Sequence, residues 1–213
     1  MPFPEFGPFE RTVVAGELPV PVYLVLFGLQ TGPDTQIAID QVQLALDAGE
    51  SQRWIDALLG ERNWRPHLPA AIGHILARSR RLNTSSLWHA IDLGSWVTPQ
   101  LVVSGAFSDP LFPQRVAERL DQFALPEPVS GGTEPRQGNR PKVVASLLAA
   151  ATQVRELSDR VPKWHAAPSV MSLLDKDLAW DKSGSIVCDW MAAAVTAFRG
   201  RGIDLSPTYD TGL

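Results

Sequence analysis

A chain of 213 residues that is 45% hydrophobic and 20% charged has the size and composition to bury a core without a metal or disulfide staple. Its net charge of −4 and pI near 5.5 argue against nucleic acid or an anionic membrane surface as the partner. The only cysteine, Cys188, excludes an intrachain disulfide, and within Ile186-Val187-Cys188-Asp189-Trp190 it reads as a small buried hydrophobe.

Residues Met1 to Gly16 are rich in Pro and Phe and aperiodic, which predicts an extended arm. They show neither the positive start nor the apolar stretch of a signal peptide. Pro19 and Pro21 lead into the apolar run Val22 to Leu29. Periodicity does not separate helix from strand there, and the proline lead-in favours helix. The apolar stretch Leu18 to Leu29 is shorter than the roughly 20 residues a membrane span needs, so a soluble cytosolic protein is expected.

Gly32-Pro33-Asp34 marks a break. Asp34 or Thr35 is expected to cap a helix carrying Ile39, Val42 and Leu46 and ended by Gly49. Ser51 is placed to cap the next helix, through Trp54, Leu58 and Leu59 to Gly60.

Two related stretches follow, Trp64-Arg65-Pro66-His67-Leu68 and Trp96-Val97-Thr98-Pro99-Gln100-Leu101. Proline has φ fixed near −65° and no N–H, so it suits the first turn of a helix, where N–H groups lack partners anyway. Leu68, Ala71, Ile72, Ile75 and Leu76 after Pro66 trace one helical face, as do Leu101, Val102, Gly105 and Ala106 after Pro99. Trp64 and Trp96 are expected at equivalent places, each packing beside the helix its proline starts. The first helix runs into Arg78-Ser79-Arg80-Arg81, cations suited to the negative end of a helix dipole.

Thr84 or Ser85 is expected to cap a helix bearing Leu87, Ala90 and Ile91, stopped by Gly94. Ser108-Asp109-Pro110 opens another with Val116, Leu120 and Phe123. Leu125 to Arg140 has few large apolar residues and is expected to be the most mobile internal stretch, either a linker or a recognition loop that presents Arg136 and Arg140. Pro141 opens a long helix with Val144, Leu147, Leu148, Ala151 and Val154. Pro168 opens another. Ser183 or Ser185 starts a last helix with Val187, Trp190, Met191, Ala194 and Phe198, and the tail from Ile203 is expected to fray. By this count residues 1–124 hold the arm and a first helical half, 125–140 a loop, and 141–213 a second half of one continuous domain.

The two prolines are 33 residues apart, and fainter echoes stand at Asn139-Arg140-Pro141 and Trp164-His165-Ala166-Ala167-Pro168. Paired helices at this period resemble the α-solenoid superfamily of HEAT and armadillo repeats. The resemblance implies an all-α fold of roughly eight to ten helices, in antiparallel hairpins stacked as a short solenoid. It covers about residues 34–123 well and 139–199 loosely, and it implies no catalytic residues. Small cytosolic toxin-neutralising immunity proteins are similar in size and charge.

No catalytic fingerprint emerges. His67 and His74 lie two turns apart, about 10 Å, too far to share a metal. His89 and Asp92 are neighbours at i, i+3, a weak pair. The Gly-rich stretch Gly131 to Lys142 lacks Walker spacing, and no dinucleotide or nucleophile-elbow motif implies a cofactor. Asp175 and Asp177, among Lys176 and Lys182, read as a solvated helix end.

The expected function is therefore non-enzymatic binding of a protein partner, as an adaptor or immunity protein, with no nucleic acid, membrane or cofactor involved. The candidate binding residues are Trp64, His67, His89, Asp92, Arg136 and Arg140. The alternatives are an enzyme with His67, His89, Asp92 or Arg140 in a site between helices, and an anion binder using Arg78, Arg80, Arg81 and Arg136.

Overall fold

The structure is a computed structural model that describes residues 12–15, 18–30, 32–124, 140–157, 181–206 and 209. Of the expected loop at 125–140, residues 125–139, Arg136 among them, lie outside the described residues, as does the expected Pro168 helix, while Arg140 belongs to a helix. A two-stranded antiparallel hairpin comes first, β1 (Thr12–Ala15) against β2 (Leu18–Pro21), with Thr12 opposite Pro21. It stands where an extended arm was expected, and its second strand carries prolines at positions 19 and 21, which a hairpin edge tolerates.

Nine α-helices follow among the described residues. They are α1 (Val22–Gly28), α2 (Pro33–Asp47), α3 (Ser51–Gly60), α4 (His67–Leu76) and α5 (Ser85–Asp92), then α6 (Thr98–Ser108), α7 (Phe112–Ala124), α8 (Arg140–Leu157) and α9 (Asp181–Arg199). The all-α expectation holds, and the apolar run after Pro21 is helical.

Two helices organise the rest. Every residue from His67 to Ile75 in α4 and from Thr98 to Phe107 in α6 is buried. A helix apolar on all sides belongs inside, and these two pack on each other. The Ser104 hydroxyl donates to the Ala71 carbonyl at 2.8 Å across their contact. Gly73 lets α3 come close, since a Cβ there would sit 3.2 Å from Ile55. The hairpins α3/α4 and α5/α6 lie side by side, with α3 on α5 and α4 on α6.

The packing does not continue as an open row. In a solenoid each repeat touches only its neighbours. Here α8 and α9 pack on each other and both return to α6, while α9 reaches the start of the chain. Trp190 Nε1 donates to the Leu26 carbonyl at 3.1 Å, Gln36 donates to the Ala197 carbonyl at 3.3 Å, and Arg201 pairs with Asp40 at 2.5 Å. These contacts close the helices into a globular bundle.

Several end signals act differently from expectation. Gly32 precedes α2 and Pro33 opens it, so Asp34 and Thr35 lie inside the first turn, and the Thr35 hydroxyl donates back to the Gln30 carbonyl. Glu50, not Ser51, is the residue before α3, and Ser51 donates to the Leu46 carbonyl at 2.8 Å. Asp109 does act at the start of α7, accepting from the Leu111 amide at 2.8 Å. The tail is partly tied down rather than frayed. Leu205 is buried, and the Tyr209 hydroxyl donates to the Ala106 carbonyl at 2.7 Å.

Candidate aromatic binding surface

The two Trp-Pro stretches end up side by side because α4 and α6 are packed neighbours. The Trp64 turn is shaped by Asn63, whose side-chain oxygen accepts from the Arg65 amide at 3.1 Å. The Trp96 turn begins at Gly94, whose φ of +71° is a left-handed conformation that suits glycine and stops α5. Ser95 then shapes the entry to α6, its carbonyl accepting from the Thr98 hydroxyl at 2.6 Å.

His67 joins the two turns. Its Nε2 lies 3.0 Å from the Glu61 carbonyl and its Nδ1 lies 2.7 Å from Ser95 Oγ. A carbonyl only accepts, so Nε2 carries the proton and the Ser95 hydroxyl donates to Nδ1. Burial lowers the pKa of His67, partly opposed by the Glu61 carbonyl, so the ring is neutral. Lys142 from α8 adds a second tie, donating to the carbonyls of Trp96 at 2.5 Å and Ser95 at 3.2 Å. Burial lowers the Lys142 pKa to about 8.

On this platform stand four aromatic rings. Trp64 and Trp96 have centroids 5.0 Å apart. Phe27 stacks on Trp96 at 6.0 Å and 13°, and lies 5.9 Å from Trp64. Tyr23 meets Trp64 edge-on at 5.9 Å. The Arg65 guanidinium sits 5.2 Å from the Trp64 ring, within cation–π range. Trp64 is half-buried, whereas Trp96 is 63% exposed. The two therefore occupy related positions in the chain but not in the core. Phe27, Leu24 and Leu93 are also exposed.

The other candidate residues are placed apart from this cluster of contacts. His89 is exposed on α5, and Asp92 pairs through both oxygens with Arg119 at 2.7 Å instead of with His89. Arg119 in turn lies 4.2 Å from the Trp88 ring. Arg140 begins α8 with its guanidinium 5.1 Å over Phe123. The basic run divides. Arg80 reaches the C-terminal end of α2, bonding the Leu46 carbonyl and Asp47, so it complements the dipole of a different helix from the one that precedes it. Phe27, Tyr23 and Lys142 were not singled out by sequence, because nothing local ties α1 or α8 to the Trp-Pro turns.

Cys188 is partly exposed on α9. Burial raises its thiol pKa, with Asp189 and Glu156 adding to the effect, which disfavours a nucleophilic thiolate. Among the described residues no three His, Cys, Asp or Glu side chains converge to hold a metal, and no helix is long and apolar enough to cross a membrane.

The chain matches no protein-family model, no curated protein and no solved structure.

Proposed function

We propose that the chain is a non-enzymatic protein-binding module, of adaptor or toxin-neutralising kind and acting in the cytosol, that anchors its partner on Trp96. The observation that carries this is an indole 63% exposed yet braced by Phe27, Trp64 and the Lys142 tie to its carbonyl. Exposed aromatic residues held in place before contact are the type that dominates interface energies, because little side-chain freedom is lost on binding. Phe27, stacked on Trp96, extends the apolar surface, Leu24 and Leu93 are exposed as well, and Arg62 and Arg65 stand beside Trp64 in the chain. This chemistry suits an apolar partner residue flanked by acidic ones. The 33-residue echo and the side-by-side α3/α4 and α5/α6 hairpins support reading these four helices as two HEAT-like units.

The test is affinity capture from the native host with the wild-type chain and Trp96→Ala in parallel. A stoichiometric protein held by the wild type and lost by the variant, with the variant's melting temperature unchanged, is the expected result. Equal capture by both, or no partner for either, overturns the reading.

A further inference from the structure

A second region, away from the aromatic surface, has the dimensions of a small-molecule site. Between the turn that follows α4 and the corner from α6 to α7 lies a cavity of about 480 Å³, within the roughly 300–1,000 Å³ range of small-molecule sites. Arg78, Ser79 and Arg81 form one wall, and Ser108, Asp109 and Tyr209 stand in the other. We propose that this cavity binds a small zwitterionic organic acid, with its carboxylate on Arg81 and its ammonium against the end of α6.

The basic wall has a free donor. Arg80 is committed to α2, and one Arg78 nitrogen donates to the Asp204 carbonyl. The Arg81 amide donates to the Arg78 carbonyl at 3.3 Å, but its guanidinium makes no hydrogen bond or ion pair among the described residues. Its backbone is nevertheless held at φ +50°, a left-handed conformation that is unfavourable for a non-glycine residue. The guanidinium at that position is a planar fork suited to a carboxylate. The Ser79 hydroxyl also lines the cavity and has no hydrogen-bond partner among the described residues, which leaves it a second donor.

The facing wall offers acceptors. The Tyr209 hydroxyl donates its proton to the Ala106 carbonyl and the Ser108 hydroxyl donates to the Ser104 carbonyl, at 2.7 and 2.8 Å, so both oxygens are left to accept. The C-terminal end of α6 carries partial negative charge toward this wall, while the Asp109 carboxylate behind it is buried and already taken by Thr84, Trp88, Leu111 and Arg115. A plain anion would meet repulsion from this side. A ligand with a carboxylate at one end and an ammonium at the other satisfies both walls.

The proposal is independent of the Trp96 surface. Amide NMR titrations with L-glutamate, glutarate and inorganic phosphate test it, since glutarate is glutamate without the ammonium. Saturable shifts at residues 78–81 and 106–109 are expected with glutamate in the low millimolar range or tighter. Glutarate and phosphate should bind at least fivefold more weakly. Arg81→Gln should weaken glutamate at least tenfold and leave the melting temperature within 2 °C of wild type. No saturation by 20 mM glutamate, unchanged binding by Arg81→Gln, or phosphate binding as tightly as glutamate would each overturn it.

Discussion

The indole of Trp96 lies 5.0 Å from that of Trp64, tilted by 46°, and only Trp64 is covered by the fold. The same motif thus supplies one packing residue and one surface residue. Trp64 has Tyr23, Phe27 and Arg65 around it, whereas Trp96 has Phe27 on one side.

Alanine substitution should separate the two roles. Trp64→Ala is expected to cost about 2–3 kcal/mol, below the range of a full core truncation because the ring is only half-buried. Trp96→Ala should cost less than about 1 kcal/mol. Urea melts followed by circular dichroism measure both, and equal losses would contradict the difference in burial.

Asp109 is a second residue whose weight comes from distant partners. Its buried carboxylate accepts from Trp88 Nε1 at 2.6 Å, the Thr84 hydroxyl at 2.9 Å and the Leu111 amide at 2.8 Å, and it lies 3.0 Å from Arg115. Asp109→Asn puts a donor group where only donors converge. The expected loss is about 2–4 kcal/mol. The exposed Asp92 pairs with Arg119 at the surface, and Asp92→Asn should cost less than about 1 kcal/mol. Denaturant midpoints of the two variants decide, and a milder effect at Asp109 would refute the network.

Such contrasts mark what was legible in the sequence. The helices α4 and α6 could be read directly, since a proline fixes its own φ and the apolar spacing repeats along a single segment. The positive-φ glycines Gly49 and Gly94 were legible for the same reason. Exposure was not legible. Whether Trp96 is covered depends on α1 and α8, and the pattern around residue 96 carries no information about either. The basic run reads as a partner for the dipole of the helix it follows, whereas Arg80 serves the end of α2, 33 residues earlier in the chain, and Arg78 reaches the Asp204 carbonyl. Asp109 showed its local capping role, while its bonds to Thr84 and Trp88 arise only when α5 packs on α6.

Lys142 should be unusually reactive. Burial lowers its pKa to about 8, so about half of its amine is neutral at pH 8, against about one part in 300 for an ordinary lysine. Trace acetylation with mass spectrometry should show Lys142 labelling rise to half its plateau near pH 8. Labelling that keeps rising to pH 10, as an unperturbed lysine would, refutes this. Acetylation also removes the ammonium that holds the Ser95 and Trp96 carbonyls, so the modified protein should show altered Trp fluorescence.

Acid should destabilise the fold through His74. This ring is 1% exposed inside α4, and its Nε2 has no hydrogen-bond partner among the described residues. Burial lowers its pKa from 6.5 to about 4, although Asp56 and Asp109 pull the other way. The folded chain thus resists a proton that the unfolded chain accepts. Between pH 6.5 and pH 4 the unfolded state binds more protons, so stability is fully present above 6.5 and is lost as the pH falls through that window. The lowered pKa of His67 acts in the same direction. For His74 alone the loss between pH 7 and pH 5 should be about 2 kcal/mol, over a range where carboxylates remain mostly ionised. Urea melts at pH 7, 6 and 5 on wild type and His74→Gln measure it. The variant will differ in absolute stability because it repacks a buried site, so the comparison is between slopes. A wild type that loses about 2 kcal/mol more than the variant over this range supports the neutral buried ring, and parallel slopes would remove His74 as the cause of acid sensitivity.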